Sequence, residues 1–261
     1  MTNIATKTAL ADDPWMSRTQ PRVTKSSYVP PKDSGSMMLS EALRGTGRVP
    51  DAKQLNFLGN AKSPGNARIF YAGDTSLLKR SCVSIVGTRD VSDAGIGATE
   101  WLARKLVDAG IVVVSGLAYG VDTVAHTAAI AQGGKTIAVI GTPLNKASPS
   151  ENAALQERIY REDLLVSQFP EGEKTHRAHF PLRNRLMAVL SDATVVMEAS
   201  DTSGTLHQAA ECTKLGRWLF IAKSVVDDPK LTWPKKFLKY DTCVVLEKAS
   251  QITDRVLKSS Q

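Results

Sequence analysis

Short apolar runs rich in β-branched residues recur along the chain from Cys82 onward, and helical patterns separate most of them. Apolar runs without polar alternation are typical of strands that are buried on both faces of a parallel sheet. We therefore predict a doubly wound, mainly parallel α/β sheet of Rossmann-like type. The predicted strands are 82–86, 111–114, 136–140, 164–167, 193–199, 217–222 and 242–246, with a lead-in strand at 68–74.

The first part of the chain has a different composition. Residues 1–35 are rich in Thr, Ser, Pro and Lys and show little hydrophobic periodicity, which is typical of segments that cannot bury a core. A short helix is predicted near residues 37–44, followed by a Gly/Pro-rich connector. We assign residues 1–66 to a leader that is largely disordered or extended. Residues 67–261 form the Rossmann-like domain with a short C-terminal tail.

The net charge of +7 is unevenly distributed. Residues 1–80 hold 12 Lys/Arg against 6 Asp/Glu, whereas residues 81–261 hold 21 against 20. The predicted domain therefore has no general positive field, and an anion site in it must be built from individually placed residues.

The three cysteines are widely spaced and form no C-x-x-C pair. This spacing argues against a disulfide framework or a zinc site and favours a reducing, cytoplasmic compartment. No apolar run approaches the roughly 18 residues that a membrane span requires. We predict no membrane segment, no metal and no cofactor.

In a doubly wound sheet, ligands bind beyond the carboxyl ends of the strands. After the first strand, Gly87 permits a sharp turn, Thr88 follows it, and Arg89 presents a permanent cation suited to phosphate. The alternative is a helix-capping loop with a surface arginine.

The loop after the second strand reads S-G-L-A-Y-G. Ser115, Gly116 and Gly120 enter a helix whose free N–H groups can accept an oxyanion. Asp122 and His126 stand four residues apart on that helix, so they share one side of it. A catalytic Asp–His pair is one interpretation, but the sequence places no nucleophile beside it, and we favour a structural contact between the two.

The loop at 168–181 is long, polar and basic, which in compact α/β domains usually indicates function. Lys174, Arg177 and Phe180 are its candidate ligand-binding residues. His176 and His179 have no carboxylate or cysteine at a matching spacing, so no metal site is predicted there.

After the fifth strand, Ser203, Gly204 and Thr205 enter a helix, where small residues let a phosphate approach the backbone. A plain Ser/Thr cap with a glycine turn is the alternative. Each of these loops is weak evidence alone. Because they converge on one edge of one sheet, together they predict a phosphate-containing ligand.

Two arginines follow Phe180 in the segment F-P-L-R-N-R. Arg183 and Arg185 lie about 200° apart around a helix, so both cannot face one pocket if the helix has begun. We predict that Arg185 faces the ligand and that Asn184 faces the loop backbone or a sugar.

Several motifs in this order resemble the DprA/Smf family of DNA-processing proteins, a Rossmann-like branch related to the LOG phosphoribohydrolases. The matching segments are F-Y-A-G-D-T-S-L-L, V-S-I-V-G-T-R, V-V-S-G-L-A-Y-G-V-D-T-V-A-H, G-G-K-T-I-A-V-I-G, F-P-L-R-N-R-L-M-A-V-L-S-D and V-V-M-E-A-S-D-T-S-G-T-L, within about residues 68–225. The resemblance implies a cytoplasmic, homodimeric, non-catalytic protein that binds single-stranded DNA. A RecA-type recombinase is then a candidate partner in DNA uptake and transformation.

The resemblance also implies which residues line the DNA pocket. They are Arg89, Arg177, Phe180, Asn184 and Arg185, with Gly116, Gly120, Ser203 and Gly204 at the pocket floor. Arginines neutralise phosphates, and an aromatic ring stacks on a base of any type for about 1–3 kcal/mol.

This chain departs from the family pattern at Tyr119, where the family has an arginine, which removes a cation and adds a ring suited to stacking. The alternative function is a nucleotide-binding sensor or a LOG-type nucleoside monophosphate phosphoribohydrolase. Against hydrolysis, the LOG signature P-G-G-x-G-T-x-x-E is only partly echoed, because no paired glycines precede S-G-T, and His207 and Gln208 stand where the acid is expected.

Overall fold

The computed structural model describes residues 28–50 and 67–257. The strands are β1 Gly35–Met38, β2 Arg68–Gly73, β3 Cys82–Val86, β4 Val112–Ser115, β5 Thr136–Ile140, β6 Leu164–Ser167, β7 Ala193–Val196, β8 Trp218–Ala222 and β9 Cys243–Leu246. The helices are α1 Leu39–Ala42, α2 Asp93–Asp108, α3 Val121–Ala131, α4 Ala153–Glu162, α5 His179–Leu190, α6 Thr205–Lys214, α7 Lys223–Val226, α8 Pro234–Phe237 and α9 Ser250–Val256. Single 3-10 turns lie at Thr75–Lys79 and Ser150–Asn152.

The described strands form one sheet in the order β1-β2-β6-β5-β4-β3-β7-β8-β9. The seven strands from β6 to β9 in this order pair in parallel, while β1 and β2 are antiparallel additions at one edge. The chain passes from β3 outward through β4, β5 and β6, and then returns to β7 on the other side of β3. This reversal confirms the predicted doubly wound, mainly parallel fold.

Helices cover both faces of the sheet. On one face Leu102 and Leu106 of α2 and Ala125 of α3 pack on Val83 and Val113. On the other face, side chains of α5 and α6 pack on the alternate residues of the same strands. Both faces are therefore apolar, which explains why the strands are continuous apolar runs rather than alternating ones.

Part of the predicted leader is packed on the domain. Strand β1 pairs with β2, and Leu39 and Leu43 are buried. Arg48 is 1% exposed, lies 3.5 Å from Asp192, and donates to the carbonyls of Leu78, Arg80 and Leu190. The helix predicted near 37–44 is a single turn, α1. Residues 28–50 thus belong to the packed unit, whereas the leader residues 1–27 and 51–66 lie outside the described residues.

A side-chain cap fixes the start of α2. Ser92 Oγ accepts a hydrogen bond from Gly95 N at 3.0 Å, so the helix begins at Asp93. Within the described residues, no helix has the length and apolar content needed to span a membrane.

The predicted contact between Asp122 and His126 is not formed. His126 is fully buried, and its Nδ1 lies 2.7 Å from Thr136 Oγ1. The Thr136 hydroxyl donates to Val113 O at 2.8 Å, so the imidazole is the donor to Thr136. Burial, and secondarily the charge of Arg183, lowers the pKa of His126 to about 3. A neutral structural histidine replaces the predicted pair.

This buried histidine makes stability depend on pH. Below about pH 6.5 the unfolded chain protonates this histidine, whereas the folded protein holds it neutral down to about pH 3. Its contribution to the free energy of unfolding therefore falls with decreasing pH, by about 1.4 kcal/mol per unit. His126→Asn, measured by urea unfolding, should lose about 2 kcal/mol less than the wild type between about pH 7 and about pH 5.

The matched control is His207→Asn, which removes an exposed histidine and should keep the wild-type dependence on pH. Equal losses in the wild type and His126→Asn would contradict the assignment.

Candidate nucleic-acid interface

A cavity of about 310 Å³ lies at the carboxyl edge of the sheet, where the strand order reverses beside β3. Its lining comes from four segments: the loop after β3, the loop between β4 and α3, the first turns of α5, and the loop between β7 and α6. Loops on the two sides of β3 separate at this point, which creates a crevice for ligands in this class of fold.

The loops after β3 and β7 are held together by backbone contacts. Thr88 N donates to Glu198 O at 2.6 Å, and Thr205 Oγ1 donates to Gly87 O at 3.1 Å. A Cβ on Gly87 would lie 2.8 Å from Glu198 O, so this close approach requires glycine. Ser203 and Gly204 complete the edge at the start of α6. The predicted residues Gly87, Thr88, Ser203, Gly204 and Thr205 all line the cavity.

The loop after β4 contributes through its backbone. Gly120 has a φ of +72°, and a Cβ there would strike the Thr88 carbonyl, so glycine is required for the contact between the two loops. Ser115 is fully buried and its hydroxyl donates to Ile85 O at 2.7 Å. The three predicted residues in this loop therefore have structural roles. Gly120 permits the contact with the loop after β3, Ser115 bonds to β3, and Gly116 packs under Arg183.

Arg89 is exposed and lines the cavity. Within the described residues, no carboxylate lies in ion-pairing distance of it. Its guanidinium is therefore available to an anionic ligand, as predicted from the sequence.

Arg183, rather than Arg185, lines the cavity. The helix begins at His179, so Phe180, Arg183 and Asn184 share one face at i, i+3 and i+4, and Arg185 points elsewhere. Arg185 Nε lies 3.5 Å from Glu211 Oε1 on α6. The prediction that Arg185 faces the pocket is wrong, because both arginines lie within the helix and the face that lines the cavity carries Arg183.

Arg183 forms a buried ion pair. Its Nη1 lies 3.8 Å from Asp122 Oδ2 and donates to Val139 O at 3.2 Å. The same carboxylate oxygen accepts from Gly116 N at 3.2 Å and Ala118 N at 3.3 Å. Burial raises the pKa of Asp122, and the Arg183 charge and these N–H groups oppose that shift.

The Nε of Arg183 is not used in these contacts. This nitrogen is buried and has no hydrogen-bond partner among the described residues. A buried donor without a partner is costly, and this one belongs to a side chain that lines the cavity.

Phe180 and Asn184 lie where the sequence predicted. Phe180 is partly exposed and its ring covers Gly141, where a Cβ would lie 3.0 Å from the ring. Asn184 Nδ2 donates to Gly204 O at 3.3 Å, which is the predicted contact with loop backbone.

Lys174 and Arg177 do not line the cavity. Both side chains are exposed in the loop that precedes α5. The loop is held by His179, whose ring stacks on Phe169 at 3.9 Å and whose Nε2 lies 3.2 Å from Glu173 Oε1. Among the residues that the structure describes, no group of His, Cys, Asp or Glu has the arrangement of a metal site.

The sequence analysis missed four further lining residues, which are Ala118, Pro181, Ser200 and His207. Each of the four lies close in sequence to a residue that was predicted. Their residue types alone did not indicate a ligand contact.

A family model described as DNA recombination-mediator protein A matches residues 56–257. The DNA processing protein DprA of Streptococcus pneumoniae is 42% identical over 160 residues, covering 61% of this chain and 56% of that protein. The chain thus spans about half the length of this relative.

Two solved structures are similar to this one. The X-ray structure of DprA from Streptococcus pneumoniae has a TM-score of 0.71 and 31% identity, covering 86% of this chain and 75% of that one. The structure of DNA processing protein A from Helicobacter pylori, described for its single-stranded DNA binding mode, has a TM-score of 0.68 and 25% identity, covering 86% and 96%. The resemblance found in the sequence motifs is confirmed, and the chain belongs to the DNA recombination-mediator protein A family.

Proposed function

We propose that this protein binds single-stranded DNA, without catalysis and with little sequence preference, in the cavity beside β3. The observation that carries the proposal is the combination of cations and an aromatic ring in one crevice. Arg89 is exposed there without a carboxylate partner among the described residues, and the buried Arg183 side chain lines the same cavity. Phe180 offers a ring to a base.

The division of roles follows from chemistry. The guanidinium groups of Arg89 and Arg183 and the Thr88 hydroxyl suit phosphate oxygens. Such contacts carry no base information. A stacked phenyl ring also accepts any base, so the site as a whole would be sequence-tolerant. The Helicobacter pylori relative, described for its binding of single-stranded DNA, supports this ligand class.

The lining of the cavity supports binding rather than hydrolysis. Asp122 is the only carboxylate among the described lining residues, and it is engaged by Arg183 and two backbone N–H groups. Nearby, Glu198 accepts from Ser92 Oγ at 2.9 Å. Both carboxylates thus have hydrogen-bonding partners within the protein.

We extend the proposal to the biological role that the family suggests. The protein would act in the cytoplasm as a homodimer and deliver single-stranded DNA to a RecA-type recombinase. Light scattering tests the dimer, and a strand-exchange assay with a recombinase tests the delivery.

Arg89→Ala should weaken binding to an oligothymidylate by about 1.5–3 kcal/mol, because a charge-assisted contact to phosphate is lost. The slope of log affinity against log salt should fall by about 0.7 for the lost phosphate contact. Fluorescence anisotropy at several salt concentrations measures both quantities.

The control is Arg104→Ala, because Arg104 lies near the far end of α2 and pairs with Glu100 at 3.6 Å. It should leave both the affinity and the slope unchanged. Binding that ignores salt, or that survives Arg89→Ala, would refute a phosphate site at Arg89.

Arg183→Met should destabilise the fold by about 3–5 kcal/mol, because it leaves the Asp122 carboxylate buried without its partner. Asp122→Asn combined with Arg183→Met should restore most of that loss while still binding DNA more weakly than the wild type. Urea unfolding and anisotropy measure the two effects separately.

Arg185→Met is the matched comparison, and it should cost less because Glu211 retains Lys214 at 3.0 Å. If Arg183→Met cost no more than Arg185→Met, the buried pair would not have the structural role assigned to it.

Incubation with nucleoside monophosphates should release no free base above the rate of spontaneous hydrolysis. Liquid chromatography of the reaction products is the measurement, with Asp122→Asn as the comparison. Sustained base release by the wild type that is lost in Asp122→Asn would establish the phosphoribohydrolase alternative.

A further inference from the structure

A second, smaller cavity of about 80 Å³ adjoins the main one. It shares Arg89, Ala118, Phe180 and Arg183 with the main cavity and adds Tyr119, Ser148 and Pro149. We call this space the aromatic niche. The niche and the main cavity therefore meet at Arg89 and Arg183, the two residues that suit phosphate.

Two rings border the aromatic niche without packing on each other. Phe180 and Tyr119 are both partly exposed, and no ring contact joins them in the described part of the chain. Gly116 and Gly141 also line the niche. A Cβ on Gly116 would meet Arg183, and a Cβ on Gly141 would meet Phe180, so both side chains need glycine beneath them. A planar apolar group is the ligand chemistry that such a space suits.

Charge favours a neutral ligand at the Tyr119 end. Burial, followed by the interaction of the Tyr119 hydroxyl with the Glu151 carboxylate, raises the pKa of Tyr119 to about 12. The hydroxyl therefore stays protonated. A phosphate next to this carboxylate would be repelled, whereas an uncharged base would not. Arg89, at the shared side, is placed for the phosphate instead.

We propose that the aromatic niche binds a nucleobase, with Tyr119 as a stacking residue in addition to Phe180, while Arg89 holds the adjoining phosphate. This inference rests on the proposed function and adds a base subsite to it. Ser148 lies at the edge of the niche, and its hydroxyl is not hydrogen-bonded to any described residue. It is therefore available to the edge of the bound base.

The test compares two ligands of equal charge, a short oligothymidylate and the same backbone carrying stable abasic sites. Tyr119→Ala should weaken binding of the oligothymidylate by about 5- to 150-fold, the range expected for loss of one stacked base. It should change binding of the abasic ligand less than about twofold. Tyr119→Phe keeps the ring and should bind both ligands nearly as the wild type does.

The control is Tyr240→Ala, because Tyr240 is the most exposed tyrosine described and lines neither cavity. A fluorescent purine analogue in the oligonucleotide gives a second readout, since stacking quenches its emission. Quenching should persist in Tyr119→Phe and in Tyr240→Ala and should fall in Tyr119→Ala.

The outcomes separate this inference from the function on which it rests. If the wild type binds the oligothymidylate but Tyr119→Ala binds it equally well, the niche is not a base site. An equal loss for the abasic ligand would also overturn it, because Tyr119 would then contact the backbone. If the wild type binds neither ligand, the proposed function fails and this inference fails with it.

Discussion

A buried ion pair between Asp122 and Arg183 joins two helices at the carboxyl edge of the sheet. Asp122 lies in the first turn of α3 and also holds the N–H groups of the preceding loop. Arg183 fixes α5 against β5 through Val139 O. The guanidinium fits only because Gly116 has no Cβ in its place. Since burying two charges costs free energy unless they are well paired, this contact sets the position of α5 and of the cavity beside it.

The position of α5 determines which side chains line the cavity. Its first turns place Phe180 over Gly141, bring Asn184 to the carbonyl of Gly204, and leave Arg185 beside α6. The loops around β3 supply the remaining groups through backbone contacts between Thr88, Gly87 and their neighbours. Residues 81–261 carry almost equal numbers of acids and bases, so attraction of an anion here depends on local placement rather than on a general field.

The sequence predicted the parallel strands to within a few residues because strands buried on both faces are continuous apolar runs. The loops that line the cavity could also be predicted, since Gly87 follows β3 directly and Ser203 and Gly204 lie in the loop between β7 and α6. The choice between Arg183 and Arg185 failed because it depends on which face of α5 packs toward the cavity, and contacts distant in sequence, such as Arg183 with Asp122, decide that.

Other features depend on contacts that are distant in sequence. The packing of residues 28–50 rests on pairing with β2 and on the hydrogen bonds of Arg48 to carbonyls on two distant segments, which local composition does not reveal. The partner of His126 was missed for the same reason. Thr136 lies on the neighbouring strand β5, while Asp122, the partner suggested by helical spacing, is used by Arg183.

The central claim is that one crevice beside β3 holds phosphate and base together. A structure of the protein bound to a short oligothymidylate tests this most directly. A phosphate within hydrogen-bonding distance of Arg89 and the Ser203–Thr205 turn, with a base against Phe180, is the predicted result. An oligonucleotide bound elsewhere on the protein, with the crevice empty, would contradict it.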